Sequence, residues 1–361
     1  MTSQPDAPAP PDSLCILRLS AIGDVTHVVP VVRTIQRHWP GTAITWVVGK
    51  VEAGLVGDLP GVEVVPYDKG GGLGALRDLR RRLRGRRFDA LLHMQTALRA
   101  NVAALGVRAD LRLGFDRERA RDGHGLFLNR RVAPNPRSHV LDGFFDFLEA
   151  LGLHERELRW DLPVPEEARA FAAEHLPGDA PVLAINPCSS VRPRNWRNWH
   201  PERYAAVADH AVREHGMRVV LTGGPSPQEK AYGASVAAAM EHDPIDLVGE
   251  TSLKELLAVL ERSTALVAPD TGPAHMGTAA GIPVIGLFGT SNPLRTGPYL
   301  SQRWAVNRYP ENLAAFAGTS LEEAPWGQRV RSPEAMSAIQ VADVTDKLDA
   351  VMAEAAEALG V

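Results

Sequence analysis

The chain has 361 residues, 45 % of them hydrophobic, and a formal net charge of −4. This length exceeds that of one typical hydrophobic core and predicts two domains, and the hydrophobic content is that of a globular protein. The two cysteines exclude a disulfide framework, and no apolar run approaches the roughly 20 residues that span a bilayer.

Residues 1–13 are polar and rich in proline, without the basic start and apolar stretch of a signal peptide. We therefore predict a disordered tail and a cytoplasmic protein that is at most peripheral to a membrane. The charge is uneven: residues 1–160 contain 23 Lys and Arg against 18 Asp and Glu, whereas the remainder contains 16 against 25. The first half, with a net charge of +5, is therefore the one expected to meet an anionic partner.

In the first half of the chain, short apolar runs alternate with helical patterns, which is typical of parallel sheets covered by helices. A connector punctuated by prolines follows at 161–180. The predicted strands are 14–19, 44–48, 62–65, 90–93 and 111–115, and the predicted helices are 25–38 and 138–151.

A second series of the same kind follows the connector, and residues 336–361 are predicted to form a closing helix. The pattern predicts the α/β class, with two doubly wound Rossmann-like domains at 14–160 and 181–335 that bind ligands in a cleft at the carboxyl ends of their strands. The predicted strands of the second series are 182–186, 218–221, 245–248, 265–268 and 284–288, and the helices are 201–214, 227–241, 253–262 and 273–280.

The turn after the strand at 265–268 has a composition suited to phosphate. Asp270, Thr271 and Gly272 can cap a helix whose first turn contains a proline. The free N–H groups and partial positive charge of a helix start attract phosphate, and Thr271 and His275 add donors. Asp270 would repel a diphosphate, so we expect it to accept hydrogen bonds from sugar hydroxyls. The alternative is a capped helix with a histidine bonded inside the core.

Two more strand-end loops of the second half carry polar residues. The first strand is followed by Ser189, Ser190 and an arginine cluster that includes Arg194 and Arg197, and guanidinium groups suit phosphate oxygens. The next strand is followed by two glycines that allow close approach of a ligand, although the Lys-Ser/Thr of a P-loop is missing. The alternative for the arginine cluster is a solvated basic loop.

In the first half, Gly23 and Asp24 lie between the first strand and the first helix. The sequence lacks the GxGxxG fingerprint of dinucleotide binding there. Asp24 is a candidate general base that takes a proton from a hydroxyl, with His27 as the rival base. The alternative is that Asp24 only caps the helix.

Residues 77–87 contain seven arginines in eleven positions, among them Arg80, Arg81 and Arg84. Such a run is usually a solvated helix face, but it could also meet anionic lipid head groups or phosphates. Nucleic acid is not expected, because no aromatic platform accompanies the run. The preceding GGGLG segment at 70–74 is predicted to be a flexible turn.

Four stretches together resemble the ADP-heptose:lipopolysaccharide heptosyltransferases of glycosyltransferase family 9. They are SAIGDVTHVVP (20–30), SSVRPRNW (189–196), GGPSPQE (223–229) and PDTGPAHMGTAAGIPVIGLFG (269–289). The resemblance implies the GT-B fold and an inverting transfer of heptose from ADP-heptose to a Kdo or heptose hydroxyl of a lipopolysaccharide core precursor. It implies no metal or other cofactor, and weak contact with the cytoplasmic surface of the inner membrane.

The resemblance also assigns roles to matching positions. Asp24 is the implied catalytic base. Independently of the resemblance, the positive charge of the first half leads us to expect that Gly23, His27 and the three arginines named above face the acceptor or the membrane. Arg194 stands where the family usually has a lysine. The implied donor-binding residues are Ser189, Ser190, Arg194, Glu229, Thr251, Asp270, Thr271, Gly272 and His275.

Other functions stay open at this point. A transferase of the same family with another donor or acceptor fits the same motifs. A GT-B-fold sugar-nucleotide epimerase would convert the donor without an acceptor, and a two-lobed binding protein would release no nucleotide.

Overall fold

A computed structural model describes residues 9–189 and 195–359. The chain divides into two compact units, the first ending at Pro163 and the second beginning at Val164. Within the described ranges, no helix is both long and apolar enough to cross a membrane.

The first unit is built on six parallel strands in the order β3-β2-β1-β4-β5-β6. Because all of them run in one direction, the sheet has a carboxyl edge, where the strands end, and an amino edge, where they begin. The strands are β1 (Ser13–Leu17), β2 (Ala43–Gly49), β3 (Val62–Tyr67), β4 (Phe88–His93), β5 (Ala109–Gly114) and β6 (Arg130–Arg131).

The helices of this unit begin near the carboxyl edge and return toward the amino edge. Buried side chains of the third and fourth helices, such as Leu79 and Ala103, pack with Leu17 and Val47 of the central strands. A short 3-10 helix spans His124–Phe127. The α-helices are α1 (Ile22–His38), α2 (Lys50–Val56), α3 (Gly72–Arg82), α4 (Leu98–Ala104) and α5 (Val140–Glu149).

Two helix starts in this unit differ from the sequence prediction. Helix α1 begins at Ile22, so Gly23 and Asp24 lie in its first turn rather than in a loop. The GGGLG segment is not only a turn, because α3 begins at Gly72. The positive φ of 51° at Gly72 is a backbone conformation that glycine adopts without a steric penalty, so the glycine allows the helix to start here.

The second unit contains six parallel strands in the order β12-β11-β10-β7-β8-β9. Its core joins apolar residues of the sheet, such as Ile185 and Val267, to Trp199 and Tyr204 of the segment that follows β7. The strands are β7 (Val182–Ile185), β8 (Arg218–Gly223), β9 (Ile245–Val248), β10 (Ala265–Pro269), β11 (Val284–Phe288) and β12 (Val306–Asn307).

Eight helices in the described part of this unit surround the sheet. The first of them, α6, occupies part of the segment 161–180 that the prolines had predicted as a connector. Two short 3-10 helices span Tyr299–Trp304 and Ala335–Ala338. The α-helices are α6 (Glu166–His175), α7 (Pro201–His215), α8 (Pro227–Ala239), α9 (Leu253–Glu261), α10 (Gly272–Ala279), α11 (Pro293–Thr296), α12 (Tyr309–Ala317) and α13 (Val341–Leu359).

Candidate functional site

The topology brings the candidate residues of each unit to the carboxyl edge of its sheet. In the first unit, Asp24 follows β1. In the second, Ser189, Glu229, Thr251 and the turn that begins at Asp270 follow β7, β8, β9 and β10 in that order. The carboxyl edge is where open α/β sheets bind ligands.

The carboxylate of Asp24 contacts Arg18 and the backbone of Ala21 in its own unit. Its Oδ2 lies 2.5 Å from Nη2 of Arg18 and accepts a hydrogen bond of 3.1 Å from the backbone N–H of Ala21. The side chain of Asp24 keeps 29 % of its surface exposed, whereas Arg18 keeps 13 %. Asp24 therefore caps α1, as the alternative predicted, while its carboxylate stays accessible to a substrate.

Arg18 is itself fixed on several sides. Its Nη1 donates to the carbonyl of Met94 at 2.5 Å, and its guanidinium lies 5.1 Å from the centre of the Phe144 ring, a cation–π distance. A cation fixed in this way determines where the carboxylate of Asp24 points. Arg18 could not be singled out from the sequence, since an arginine at a strand end is common.

His27 lies inside the first unit. Only 2 % of its surface is exposed, and its ring packs edge-on against the ring of His139, 5.2 Å away. This burial disfavours the alternative in which His27 is the base, because a base must reach a hydroxyl of a bound substrate.

A second pair of buried histidines braces the carboxyl end of β4. Oδ1 of Asn101 lies 2.9 Å from Nε2 of His93 and 2.9 Å from Nδ1 of His124, and the N–H of Phe115 donates to Nε2 of His124 at 3.2 Å. Burial lowers the pKa of His124 to about 4 and holds the pKa of His93 well below its usual value. Both rings are therefore neutral at physiological pH and serve as structural groups.

The turn between β10 and α10 has the form expected of a phosphate-binding helix start. Thr271 is the N-cap in extended conformation, and Gly272 is the first helical residue. Thr271 and His275 are 9 % and 7 % exposed, and the Thr271 hydroxyl has no hydrogen-bond partner among the residues the structure describes. A buried hydroxyl without a protein partner at a helix start is suited to accept or donate to a ligand.

Asp270 lies beside two arginines. Arg197 donates from Nη1 to the backbone carbonyl of Asp270 at 2.7 Å, and the same nitrogen lies 3.5 Å from its carboxylate. Nη1 of Arg329 lies 3.6 Å from that carboxylate. The two cations offset the negative charge of Asp270, which removes the repulsion that a diphosphate would otherwise meet at this turn.

The loop after β7 is only partly described, because Ser190 and Arg194 lie outside the described residues. Ser189 is 1 % exposed, and its N–H and hydroxyl both donate to Oδ1 of Asn198, at 2.8 and 3.0 Å. The hydroxyl of Ser189 therefore stabilises its own loop.

The two predicted nucleotide contacts differ in their surroundings. The Glu229 carboxylate accepts from the N–H of Gly224 at 3.0 Å and from the hydroxyl of Ser226 at 2.7 Å, so both of its oxygens help to cap α8. Thr251 lies half-buried just before α9. Among the described residues, the Thr251 side chain makes fewer hydrogen bonds to neighbouring groups than the Glu229 carboxylate does.

A loop at the same edge, after β11, was not predicted from the sequence. Ser291 and Asn292 are each 4 % exposed, and the Ser291 hydroxyl and the Asn292 side-chain amide nitrogen have no hydrogen-bond partner within the described ranges. Since β11 lies next to β10 in the sheet, this loop neighbours the Asp270 turn. The polar run TSN between an apolar strand and a proline was the available signal.

The arginine run lies at the other edge of the first sheet. Helix α3 starts near the carboxyl edge and ends at Arg82, shortly before β4 begins at the amino edge. Arg80 donates to the carbonyl of Leu105 at 3.4 Å, Arg81 pairs with Asp78, and Arg84 is exposed. The sheet therefore separates these arginines from Asp24, and their contact with lipid or acceptor stays a prediction.

Comparisons with known proteins agree with this architecture. The family model of glycosyltransferase family 9 (heptosyltransferase) matches residues 76–324. The lipopolysaccharide core heptosyltransferase OpsX of Haemophilus influenzae is 39 % identical over 338 residues, which cover 94 % of this chain and 96 % of that protein. Lipopolysaccharide heptosyltransferase 1 of Pseudomonas aeruginosa is 28 % identical over 79 % of this chain and 80 % of its own.

Solved structures show the same fold. A family 9 glycosyltransferase from Veillonella parvula superposes with a TM-score of 0.78 at 23 % identity, covering 95 % of this chain and 97 % of its own. The E. coli heptosyltransferase WaaC with ADP gives a TM-score of 0.70 at 20 % identity, covering 94 % and 99 %. The predicted α/β class of GT-B type is confirmed, and the chain belongs to glycosyltransferase family 9, the heptosyltransferase family.

Proposed function

We propose that this protein transfers heptose from ADP-heptose to a Kdo or heptose hydroxyl of a lipopolysaccharide inner-core precursor. The family relation over nearly the whole chain carries the proposal. The geometry supports it with an accessible carboxylate at the carboxyl edge of the first sheet and a helix start suited to phosphate at that of the second.

The proposed chemistry is a single displacement with inversion. Asp24 takes the proton of the acceptor hydroxyl while the hydroxyl oxygen forms a bond to the anomeric carbon of the heptose. The bond between that carbon and the diphosphate oxygen breaks, and ADP leaves with the electron pair. The ion pair with Arg18 fixes the carboxylate, which limits the directions from which it can take a proton.

The donor is proposed to bind to the second unit. The N–H groups at the start of α10 and the hydroxyl of Thr271 would stabilise the charge that grows on the diphosphate. Asp270, Gly272 and His275 complete this turn. Ser189, Ser190, Arg194, Glu229 and Thr251 stay predicted donor contacts, and the transfer is proposed to need no metal.

The acceptor is proposed to bind to the first unit at the cytoplasmic face of the inner membrane. Exposed apolar side chains at the carboxyl edge support a contact with lipid there, since each stands in the first element after a strand. They are Val51 in α2, Leu73 in α3, Leu98 in α4 and Leu126 in the 3-10 helix, with 60 % or more of each exposed. The arginine run is the competing candidate for this contact.

Sedimentation with vesicles separates these two surfaces. Vesicles with anionic lipids are mixed with the wild type, with Leu73→Ser/Leu98→Ser, and with Arg80→Ala/Arg81→Ala/Arg84→Ala. We expect the leucine variant to lose most of its bound fraction and the arginine variant to lose less. The reverse order would place the membrane contact on the arginine run.

The transfer itself is tested by ADP release from ADP-heptose with a Kdo-terminated acceptor, a heptose-terminated acceptor or none. Release that needs one acceptor would establish the transferase and its acceptor, whereas release without an acceptor would contradict it. Asp24→Asn should reduce turnover at least a thousandfold and leave ADP affinity by calorimetry within about twofold. Near wild-type turnover in that variant would remove Asp24 from the mechanism.

A further inference from the structure

Three side chains that commonly bind metal converge between helices α7 and α13. Nε2 of His210 and Nε2 of His215, both on α7, each lie 2.6 Å from Oδ1 of Asp349 on α13. In the part of the chain that the structure describes, these three side chains form a group of possible metal ligands. Their ligand atoms all lie within 4.8 Å of one another.

The electrostatic setting favours a cation at this point. His215 is the last residue of α7, so the partial negative charge at the carboxyl end of the helix lies beside it. Cations close in sequence have other partners: Arg213 pairs with Glu241 at 2.9 Å, and Lys347 donates to a backbone carbonyl at 2.8 Å.

A carboxyl group is ionised at neutral pH, so Asp349 offers a charged oxygen to both imidazole rings. The side chains of His210, His215 and Asp349 are 24, 19 and 47 % exposed, so water can reach the group and fill further coordination positions.

We propose that His210, His215 and Asp349 bind a divalent transition metal ion of the Zn²⁺ class. Two imidazole nitrogens and one carboxylate oxygen form a ligand set that zinc accepts with water in the fourth position, whereas Mg²⁺ and Ca²⁺ prefer oxygen ligands alone. Bond lengths near 2.1 Å in a tetrahedron separate ligand atoms by about 3.4 Å. The two N···O distances of 2.6 Å would have to lengthen by about 0.8 Å to admit the ion.

The site links the carboxyl-terminal helix to the body of the second unit. Buried residues of α13, such as Val344 and Leu348, already pack in one core with Tyr204 and Val207 of α7. Helix α7 ends at His215 just before β8 begins, which places the site toward the amino edge of the sheet and away from the Asp270 turn. The metal is therefore a structural clamp with no part in the transfer.

Calorimetry on the untagged full-length protein, stripped with EDTA and titrated with ZnCl₂ at pH 7.5, tests the proposal. We expect one Zn²⁺ per chain, with affinity reduced at least tenfold in His215→Ala and in Asp349→Asn. His242→Ala is the matched control, because His242 pairs with a single carboxylate, Asp209, at 3.1 Å. That variant should keep its zinc affinity within twofold.

A second measurement tests whether the metal stabilises the folded protein. Zn²⁺ should raise the thermal unfolding midpoint of the stripped wild type, because a ligand that binds only the native state stabilises it, and it should not do so in His215→Ala. Absence of saturable binding, or equal affinity in His215→Ala and wild type, would overturn the site without affecting the proposed transfer, which is assayed on the stripped enzyme.

Discussion

Replacing Arg18 by methionine tests whether Asp24 must be held in place to act as a base. The change keeps an unbranched side chain against Phe144 but removes the 2.5 Å ion pair with Asp24 and the hydrogen bond to Met94. Hydrogen bonds to charged groups contribute about 1.5–3 kcal/mol each. Because 29 % of the Asp24 side chain is exposed, water replaces part of that interaction, so the fold should survive.

The larger effect is expected on the position of the carboxylate. A base displaced by roughly 1 Å can lose about a hundredfold in rate. We therefore expect Arg18→Met to lower the turnover of ADP-heptose by ten- to a hundredfold, measured as ADP release at saturating donor and acceptor. ADP affinity by calorimetry should stay within twofold, because the donor turn belongs to the other unit.

Two further variants test whether Arg18 acts by its charge and through Asp24. Arg18→Lys keeps a positive charge and should recover part of the lost turnover. If Arg18 acts through Asp24, then adding Arg18→Met to Asp24→Asn should cause little further loss. Independent losses that multiply in the double variant, or a single variant within twofold of wild type, would refute the positioning role.

Three more predictions concern the second unit and the buried histidines. Arg197→Ala removes the 2.7 Å bond to the Asp270 carbonyl and should weaken ADP binding by calorimetry about tenfold, or about 1.4 kcal/mol; unchanged affinity would separate Arg197 from the donor turn. Gly277→Ala places a Cβ 2.6 Å from Cγ2 of Val284, so the free energy of unfolding in urea should fall by about 1–3 kcal/mol, and a smaller loss would mean that the helix can shift. Burial lowers the pKa of His124 to about 4, so the unfolded chain binds a proton at this residue near pH 6.5, before the native chain does. The contribution of His124 to stability should be complete above pH 6.5 and fall by on the order of 3 kcal/mol toward pH 4. Because buried His93 adds a dependence of the same sign, His124→Gln should reduce the slope of the free energy of unfolding against pH without abolishing it.

Regular elements could be predicted because apolar periodicity follows burial. Strands β9 and β11 have the predicted bounds, and most of the other predicted elements differ by a few residues at their ends. Helix α6 was hidden because Pro165, taken as a break, is the residue that precedes its first turn, a position proline tolerates. Prolines and glycines therefore located boundaries correctly but did not tell which kind of element followed.

From the sequence, each strand-end loop of the site could be predicted separately, but the contacts that hold each loop in place could not. Parallel strands bring those loops to one edge, so Asp24 and Thr271 could be proposed from local sequence, whereas Thr251 was proposed only from the family resemblance. The partners that fix them come from elsewhere in the chain. Arg329 reaches Asp270 from a segment with no regular pattern, and no local signal marks such a pair.

The arginines beside Asp270 explain why an acid can stand in a turn that is proposed to bind a diphosphate. An isolated carboxylate next to the start of α10 would oppose a ligand with like charge. Here the carboxylate lies between Arg197 and Arg329, at 3.5 and 3.6 Å, and the Asp270 carbonyl holds Arg197 more closely still. The turn then carries a net positive charge from two cations and one anion, in addition to the N–H groups of the helix. We therefore propose that Asp270 positions cationic groups at the donor turn, while the sugar contact that its sequence context suggested stays a prediction.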